Sequence, residues 1–533
     1  MHSCLSVDEI LRLFACELVA SEAKATAVAL ACCRKSFEDP VLDALWETQN
    51  QLAPLLKCFP PGVWEQEDGS IVSPPTVSIS LYSTDCFRKS FKRIPTKAEW
   101  THSRKYAQRM RKIEVDASED PVTPDIVLAV QLRTANDPWL PRLKTFKCCG
   151  ITEEFIPFIP LFLSHKTMEI DIQFAEDTSA VVTASMISRF STLCPELMWI
   201  NLNDLPRHSV ITEAVSEMLL ACNRNTLQGV YLDSPLTQEA REVIYRLPEL
   251  SDLWVVIQGP TSLPTVALPN LTSIDVEYGD DLDWLEGFRG ATLEKLDSAT
   301  FRSESNRIGD FLRAFESVAS TTSSQNTLSK LKFFTSRSWN PNYSSLLSFN
   351  QLKEVEIQFS CSGGCSSRVD DDILMSLAHA MPKLEILRLG DAPCQFPTGV
   401  TVNGLISFAR RCPHLSKLCV HFQVTSLVEA ATSATTLSPS DDEPVVQREG
   451  CALTDLEVGD IPVPAQSALA VAQILLQIFP RILNVGYINP EWKTVAEIVK
   501  HFRQIAIFVR RTGEAHPSHS MIYGDTLPGD ATD

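Results

Sequence analysis

No apolar run in this 533-residue chain approaches the roughly 18 to 20 residues that a membrane span needs. No membrane partner is expected. The first residues, Met1-His2-Ser3-Cys4-Leu5, lack a basic stretch followed by an apolar one, so no secretory signal is expected. Thr532-Asp533 is not a retention or prenylation signal. Histidine is sparse and scattered, with 10 in the chain. Metalloprotease, nucleophile-elbow and P-loop patterns are all absent. Cys361 and Cys365, with His379 nearby, make only half of a zinc site, which needs a second close pair. Asp280-Asp281-Asp283 and Asp370-Asp371-Asp372 lack the Glu-terminated loop that holds calcium; the second run reads as the cap of the following helix. A hydrolase on an α/β scaffold would need a clustered nucleophile and base, and none is visible. The expectation is a chain without catalytic chemistry, metal or cofactor.

Positive charge is also in short supply. The net charge of −19 opposes nonspecific nucleic-acid binding by the whole molecule. Sixteen cysteines would suggest disulfides in a short secreted chain. Here they sit in apolar contexts such as Ala31-Cys32-Cys33 and Lys147-Cys148-Cys149, and read as reduced, mostly buried thiols of a cytoplasmic or nuclear protein.

What the chain does have is repetition. Pro382-Lys383-Leu384-Glu385-Ile386-Leu387-Arg388-Leu389 places apolar residues at positions one, four and six after a proline. The same form returns at Met110-Ile113-Val115, Leu143-Phe146-Cys148, Thr167-Ile170-Ile172, Leu197-Ile200-Leu202, Leu227-Val230-Leu232, Leu250-Leu253-Val255 and Leu271-Ile274-Val276. An incomplete Leu293-Leu296 follows. Then come Leu328-Leu331-Phe333, Leu352-Val355-Ile357, Leu384-Leu387-Leu389, Leu415-Leu418-Val420, Leu453-Leu456-Val458 and Ile482-Val485-Tyr487. Pro141, Pro195, Pro248, Pro269, Pro382, Pro413 and Pro480 stand two residues before the first apolar position. A proline there stops a helix and leads into an extended segment. Several of these segments follow an amphipathic run, such as 185–194, 211–222, 371–381 and 402–412.

This is the strand segment of a leucine-rich repeat. The resemblance implies an α/β solenoid: an irregular leucine-rich-repeat array of parallel strands plus helices, in a horseshoe, over residues 106–510. The asparagine or cysteine that usually follows nine residues into the template is missing, so variable curvature is expected. An ordinary α/β domain is the plainer alternative. Outward-facing residues would hold a target, with Glu385, Arg388, Glu354 and Glu356 as candidates. Residues 435–450 and Ser360 to Ser367 read as a disordered insertion and a flexible loop. A helix over 491–511, with Trp492, Val495, Ile498, Val499, Phe502, Ile505 and Val509 on one face, should close the array. Residues 511–533 read as a tail.

Residues 1–50 read as three short helices. Ser6-Val7-Asp8-Glu9 opens the first, with Val7, Ile10, Leu11, Phe14 and Leu18 on one face. The second runs from Ala23 to Phe37. The third opens on Asp39-Pro40 and ends at Leu45-Trp46. Val7 to Phe14, Leu30 to Phe37, Asp39-Pro40 and Leu45-Trp46 together resemble the F-box, as found in fungal-type F-box proteins with a repeat solenoid; Leu5-Ser6-Val7 stands where that family opens on Leu-Pro. The resemblance implies docking of Val7, Ile10, Leu13, Phe14, Leu30, Cys32 and Trp46 on the Skp-type adaptor of a Skp–cullin–F-box ubiquitin ligase, and through it on a cullin. An unknown protein target would be bound by the solenoid. The plainer reading is that these residues form the core of a solenoid cap, in a scaffold without ligase association.

Residues 51–105 read as a connector. Between Phe87 and Lys112 it holds ten Lys or Arg residues against Glu99. That island could meet nucleic acid, anionic lipid or an acidic partner, or be a solvated stretch balancing acidic neighbours within the chain.

Overall fold

An extended segment with apolar residues at alternate positions buries one face and leaves the other open. It needs a like segment on each side and a helix or turn behind it, which is what stacking supplies. The computed structural model describes residues 8–67, 88–117 except 92, 129–132, 138–258, 266–303 except 267, 280, 281, 290 and 292, 308–335 except 323, 343–359, 369–390, 399–427, 451–458, 463–487 and 489–514. Val7, Cys361, Cys365, the 360–367 loop, the 435–450 insertion and residues 515–533 lie outside them.

The chain divides into two compact units, Met1–Glu304 with Arg313–Thr327 and Ser305–Leu312 with Leu328–Asp533. Both carry parallel strands of the array expected over 106–510. The first unit holds β1 (Thr48–Gln49) and an antiparallel pair, β2 (Trp64–Glu67) and β3 (Arg88–Phe91). Its repeat strands are β4 (Lys112–Asp116), β5 (Thr145–Ile151), β6 (Glu169–Phe174), β7 (Trp199–Asn203), β8 (Gly229–Pro235), β9 (Asp252–Ile257), β10 (Ser273–Tyr278) and β11 (Ser298–Ser303). They pair in parallel in chain order, with β1 beside β4. The second unit holds β12 (Lys330–Thr335), β13 (Glu354–Phe359), β14 (Ile386–Leu389), β15 (Lys417–Val420), β16 (Asp455–Val458) and β17 (Asn484–Tyr487), again parallel and in order. The architecture is an α/β solenoid.

The template triads are its core. Leu384, Leu387, Leu415, Leu418, Leu453 and Leu456 are fully buried, and neighbouring triads lie in register, as Val355, Leu387 and Leu418 do. Two triads need correction. Ile274 and Val276 pair with Ala299 and Phe301, so the incomplete triad is Leu296-Ala299-Phe301, three residues on from the expected one. Tyr487, at the end of the last triad, is exposed.

In place of an asparagine ladder the strands carry hydroxyls. The residue after the first template position donates to the preceding repeat: Ser251 Oγ to the Gln228 carbonyl at 3.1 Å and Thr272 Oγ1 to that of Ser251 at 3.0 Å. Ser416 donates to Glu385 at 2.9 Å and Thr454 to Ser416 at 3.2 Å. β5 is bulged between Cys148 and Ile151, where Gly150 takes a φ of 64° that a side chain would oppose.

Helices back the strands, among them Ala180–Ile187, Ser209–Ala221, Asp371–Ala380 and Val402–Arg411. Asp370 accepts from the Ile373 N–H at 2.9 Å, so the acidic run does cap its helix. Asp371 reaches on to the next repeat, accepting from the Thr401 backbone N–H at 2.8 Å and the Thr401 hydroxyl at 2.6 Å. The closing helix, Trp492–Glu514, buries Trp492, Val495 and Val499. Phe502 and Ile505 are exposed, so its apolar stripe covers the array for about two turns only.

The N-terminal helices are α1 (Asp8–Ala20), α2 (Lys24–Cys33) and α3 (Lys35–Glu47). The break between the second and third falls at Arg34, whose backbone is extended (φ −158°, ψ 139°). Asp39 is therefore not a cap, and Pro40 lies inside α3. Ala15, Ala27, Val41 and Ala44 form the module's core, with Leu18, Val19, Leu30 and Leu45 packed around it. Such small side chains draw the three helices close.

Candidate functional site

The first candidate surface is on α1. Leu11 and Ala15 turn inward, which splits the apolar face expected from spacing. Ile10, Leu13 and Phe14 turn outward and are 40%, 71% and 51% exposed. Separations of three and four residues place them together on one face of the helix, and Val28 of α2 is exposed as well. Leu30 packs on the module's core and Cys32 is exposed. Trp46 is half-buried, with its ring 4.9 Å from that of Tyr106.

Tyr106 belongs to the connector helix α4 (Lys97–Ala107), which opens on a Thr96–Glu99 capping box. Just beyond it, Arg109 pairs with both Asp39 and Asp43 of α3. Arg93 forks onto Glu99 at 2.7 and 3.0 Å, and that bond holds the Glu99 carboxyl down at about 2. These two arginines of the basic island are thus spent on acids of the same chain.

The second candidate surface is the open face of β13 to β16. Lys332 of β12 bridges Glu354 at 2.5 Å and Glu356 at 3.5 Å. Arg388 donates to Glu457, two strands away, at 2.7 Å, and Lys417 reaches the same carboxylate at 2.8 Å. Glu385 is exposed and pairs with Lys353 at 3.2 Å. All four expected target contacts therefore already have charged partners within the second unit. Strands β12 to β16 carry four bases and four acids on this face, and balance one another.

The open face of β6 to β11 is different, and template spacing alone did not single it out. Trp199, Tyr231 and Trp254 occupy outward positions of three successive strands. The Trp199 and Tyr231 rings are stacked, 6.1 Å apart at 18°. The Trp199 ring lies across Gly229: a Cβ there would come within 2.1 Å of it, so glycine is what lets the ring lie flat. Arg302 stands 5.8 Å above the Trp254 ring and pairs with Asp275. Around these rings lie Glu169, Asp171, Asp233, Asp252, Asp275 and Glu277, against Arg302 and, on β5, Lys147. Lys147 binds Asp171 at 3.1 Å and Glu169 at 3.3 Å. Burial pushes the Asp233 carboxyl up to about 6, and the charges of Asp204 and Glu277 add to it, against hydrogen bonds from the Leu205 and Asp204 N–H groups. Burial likewise raises Tyr231 to about 12, with Asp252 contributing.

A raised carboxyl makes a signed prediction. Ionising Asp233 costs the folded state more than the unfolded one, so the penalty is full above about pH 6 and gone below the ordinary aspartate range, near pH 4. Asp233→Asn, which keeps an acceptor for Leu205, should therefore raise the thermal midpoint at neutral pH. The gain should shrink as pH falls and vanish near pH 4. A constant gain across that range would contradict the assignment.

The buried thiols are chemically quiet: burial pushes Cys222 up to about 11 and Cys194, Cys412 and Cys419 to about 12. Among the described residues no group of three or more His, Cys, Asp or Glu side chains is placed to hold a metal ion, and no helix is long and apolar enough to cross a membrane.

No family model and no curated protein matches the sequence. Among solved structures, a chain of the crystal structure of the Rad7 and Elc1 complex in yeast is similar at 14% identity, covering 57% of this chain and 76% of that one, with a TM-score of 0.35.

Proposed function

We propose that this chain is a non-catalytic substrate receptor of a Skp–cullin–F-box-type ubiquitin ligase, working in the cytoplasm or nucleus. On this reading α1–α3 are an F-box that docks a Skp-type adaptor and, through it, a cullin. The leucine-rich-repeat solenoid holds a protein target and raises its local concentration beside the ligase. The observation that carries the reading is the trio Ile10, Leu13 and Phe14, left exposed on a module whose core is complete without them. Three large apolar side chains on one short helix make a contiguous patch of the kind that marks a partner surface.

A second reading has an observation of its own. Trp46 on Tyr106, and Arg109 on Asp39 and Asp43, fasten the module to the connector, as a cap on a plain interaction scaffold would be fastened. The two readings part in a capture experiment with a purified Skp-type adaptor. The full chain should retain it and a chain lacking residues 1–50 should not. Equal recovery by both would sink the receptor reading and leave the scaffold.

A further inference from the structure

We propose that the open face of β7 to β11 is a docking surface for an arginine- and lysine-rich segment of a protein partner, held by carboxylates around the Trp199, Tyr231 and Trp254 rings. The inference builds on the receptor role by naming where the target sits and what chemistry it carries, and is tested without any adaptor.

Charge complementarity carries it. From β7 to β11 the open face presents four acids, Asp233, Asp252, Asp275 and Glu277, and one base, Arg302, which Asp275 already takes. Asp233 accepts from the Leu205 N–H and lies within the field of Glu277 and Asp204, and among the described residues it makes no ion pair. Like charges held this close oppose folding, and a cationic ligand relieves that cost on binding. The carboxylates do not converge as metal ligands would, so the counter-charge they suit is a row of side chains. A phosphate backbone is repelled outright.

The aromatic rings narrow the choice further. Guanidinium and ammonium groups bind over tryptophan and tyrosine faces, and β7, β8 and β9 each set one ring outward. Arg302 displays the mode within the protein: its guanidinium lies over Trp254 while pairing with Asp275. An incoming arginine finds a ring and a carboxylate together at Trp199 and Tyr231, with Asp233 on β8 and Asp252 on β9. The second unit's face, with its charges neutralised, offers nothing comparable.

The test uses the full chain and a fluorescein-labelled peptide of about a dozen residues alternating arginine or lysine with serine, a length suited to an extended segment, followed by anisotropy. The pair Asp233→Asn with Glu277→Gln should weaken binding by about tenfold or more, since each removes a charge partner. Glu213→Gln with Glu217→Gln, on helix Ser209–Ala221 behind the sheet, removes the same charge from the wrong place and should change affinity by less than about twofold. A second patch variant, Asp252→Asn, guards against a folding defect in the first, checked by thermal melting. The peptide with glutamine in place of its basic residues should not bind. No binding by the parent chain, equal loss in the patch and helix variants, or equal binding of the glutamine peptide would each overturn the proposal. Because no adaptor is present, these outcomes are independent of whether α1 captures one.

Discussion

A chain carrying Leu13→Asp and Phe14→Asp is expected to fold as the parent does and to lose a Skp-type adaptor. Both side chains lie mostly in water, at 71% and 51% exposure, so little apolar contact is surrendered. The helix-propensity cost of two aspartates is about 1 kcal/mol in total. At an interface the same side chains would be desolvated anchors, and truncating such an anchor costs about 2 kcal/mol or more. Two of them amount to about a thousandfold in affinity. The neighbouring substitution Leu11→Asp is the contrast. Leu11 is buried, so a charge there should unfold the module and lose the adaptor with the helix signal. Undiminished capture by the surface variant would mean that α1 does not meet the adaptor.

Trp492→Ala should bring a large loss of stability. The indole is fully buried where the closing helix meets the last strands, and its ring stands edge-on to Phe422 at 6.0 Å. Cutting a buried Trp to Ala removes its contacts and leaves a cavity, costing about 3 to 5 kcal/mol. In an array where each repeat leans on its neighbour, that loss falls first on β17 and β16. Hydrogen exchange should therefore show those two strands opening well before β13. Phe502→Ala, on the same helix but exposed, should leave the denaturation midpoint nearly unchanged. Equal effects from the two substitutions would mean that the helix closes the array by its outer turns.

The strands were legible because their signal is rigid. A leucine at position four must meet the leucines before and after it, and Leu387 between Val355 and Leu418 is that requirement made visible. Where the signal fades, the reading slips. Ala299 carries too little hydrophobicity to mark a core position, so the spacing places the triad around it three residues early. Arg34 ends α2 although Arg34-Lys35 reads as good helix. Pro40 suggests a first turn that the chain has already passed. The division of α1 into inward Leu11 and outward Ile10 was not legible either: both are apolar and adjacent, and only the positions of α2 and α3 decide between them.

The candidate site was less legible than the fold, and the reason is lateral. Arg388 and Glu457 stand 69 residues apart in sequence, yet one strand separates them in space. Gly229 has no meaning in its own repeat; it is a floor for Trp199 of the repeat before. Reading a face requires the outward positions of neighbouring strands side by side. Set side by side, the outward positions of β7 to β10 carry three aromatic residues and a run of carboxylates.

The chain order of strand pairing from β4 onward also bears on how the molecule reaches its native state. Successive template positions are separated by 21 to 38 residues, so each new strand closes a loop of modest size onto one already formed. Loop-closure entropy rises only slowly over that range, and no step waits for distant segments to meet. Each unit can therefore zip from any interior pair of strands outward, at a speed set by local closures rather than by overall length. Unfolding should retrace that path by fraying from the ends.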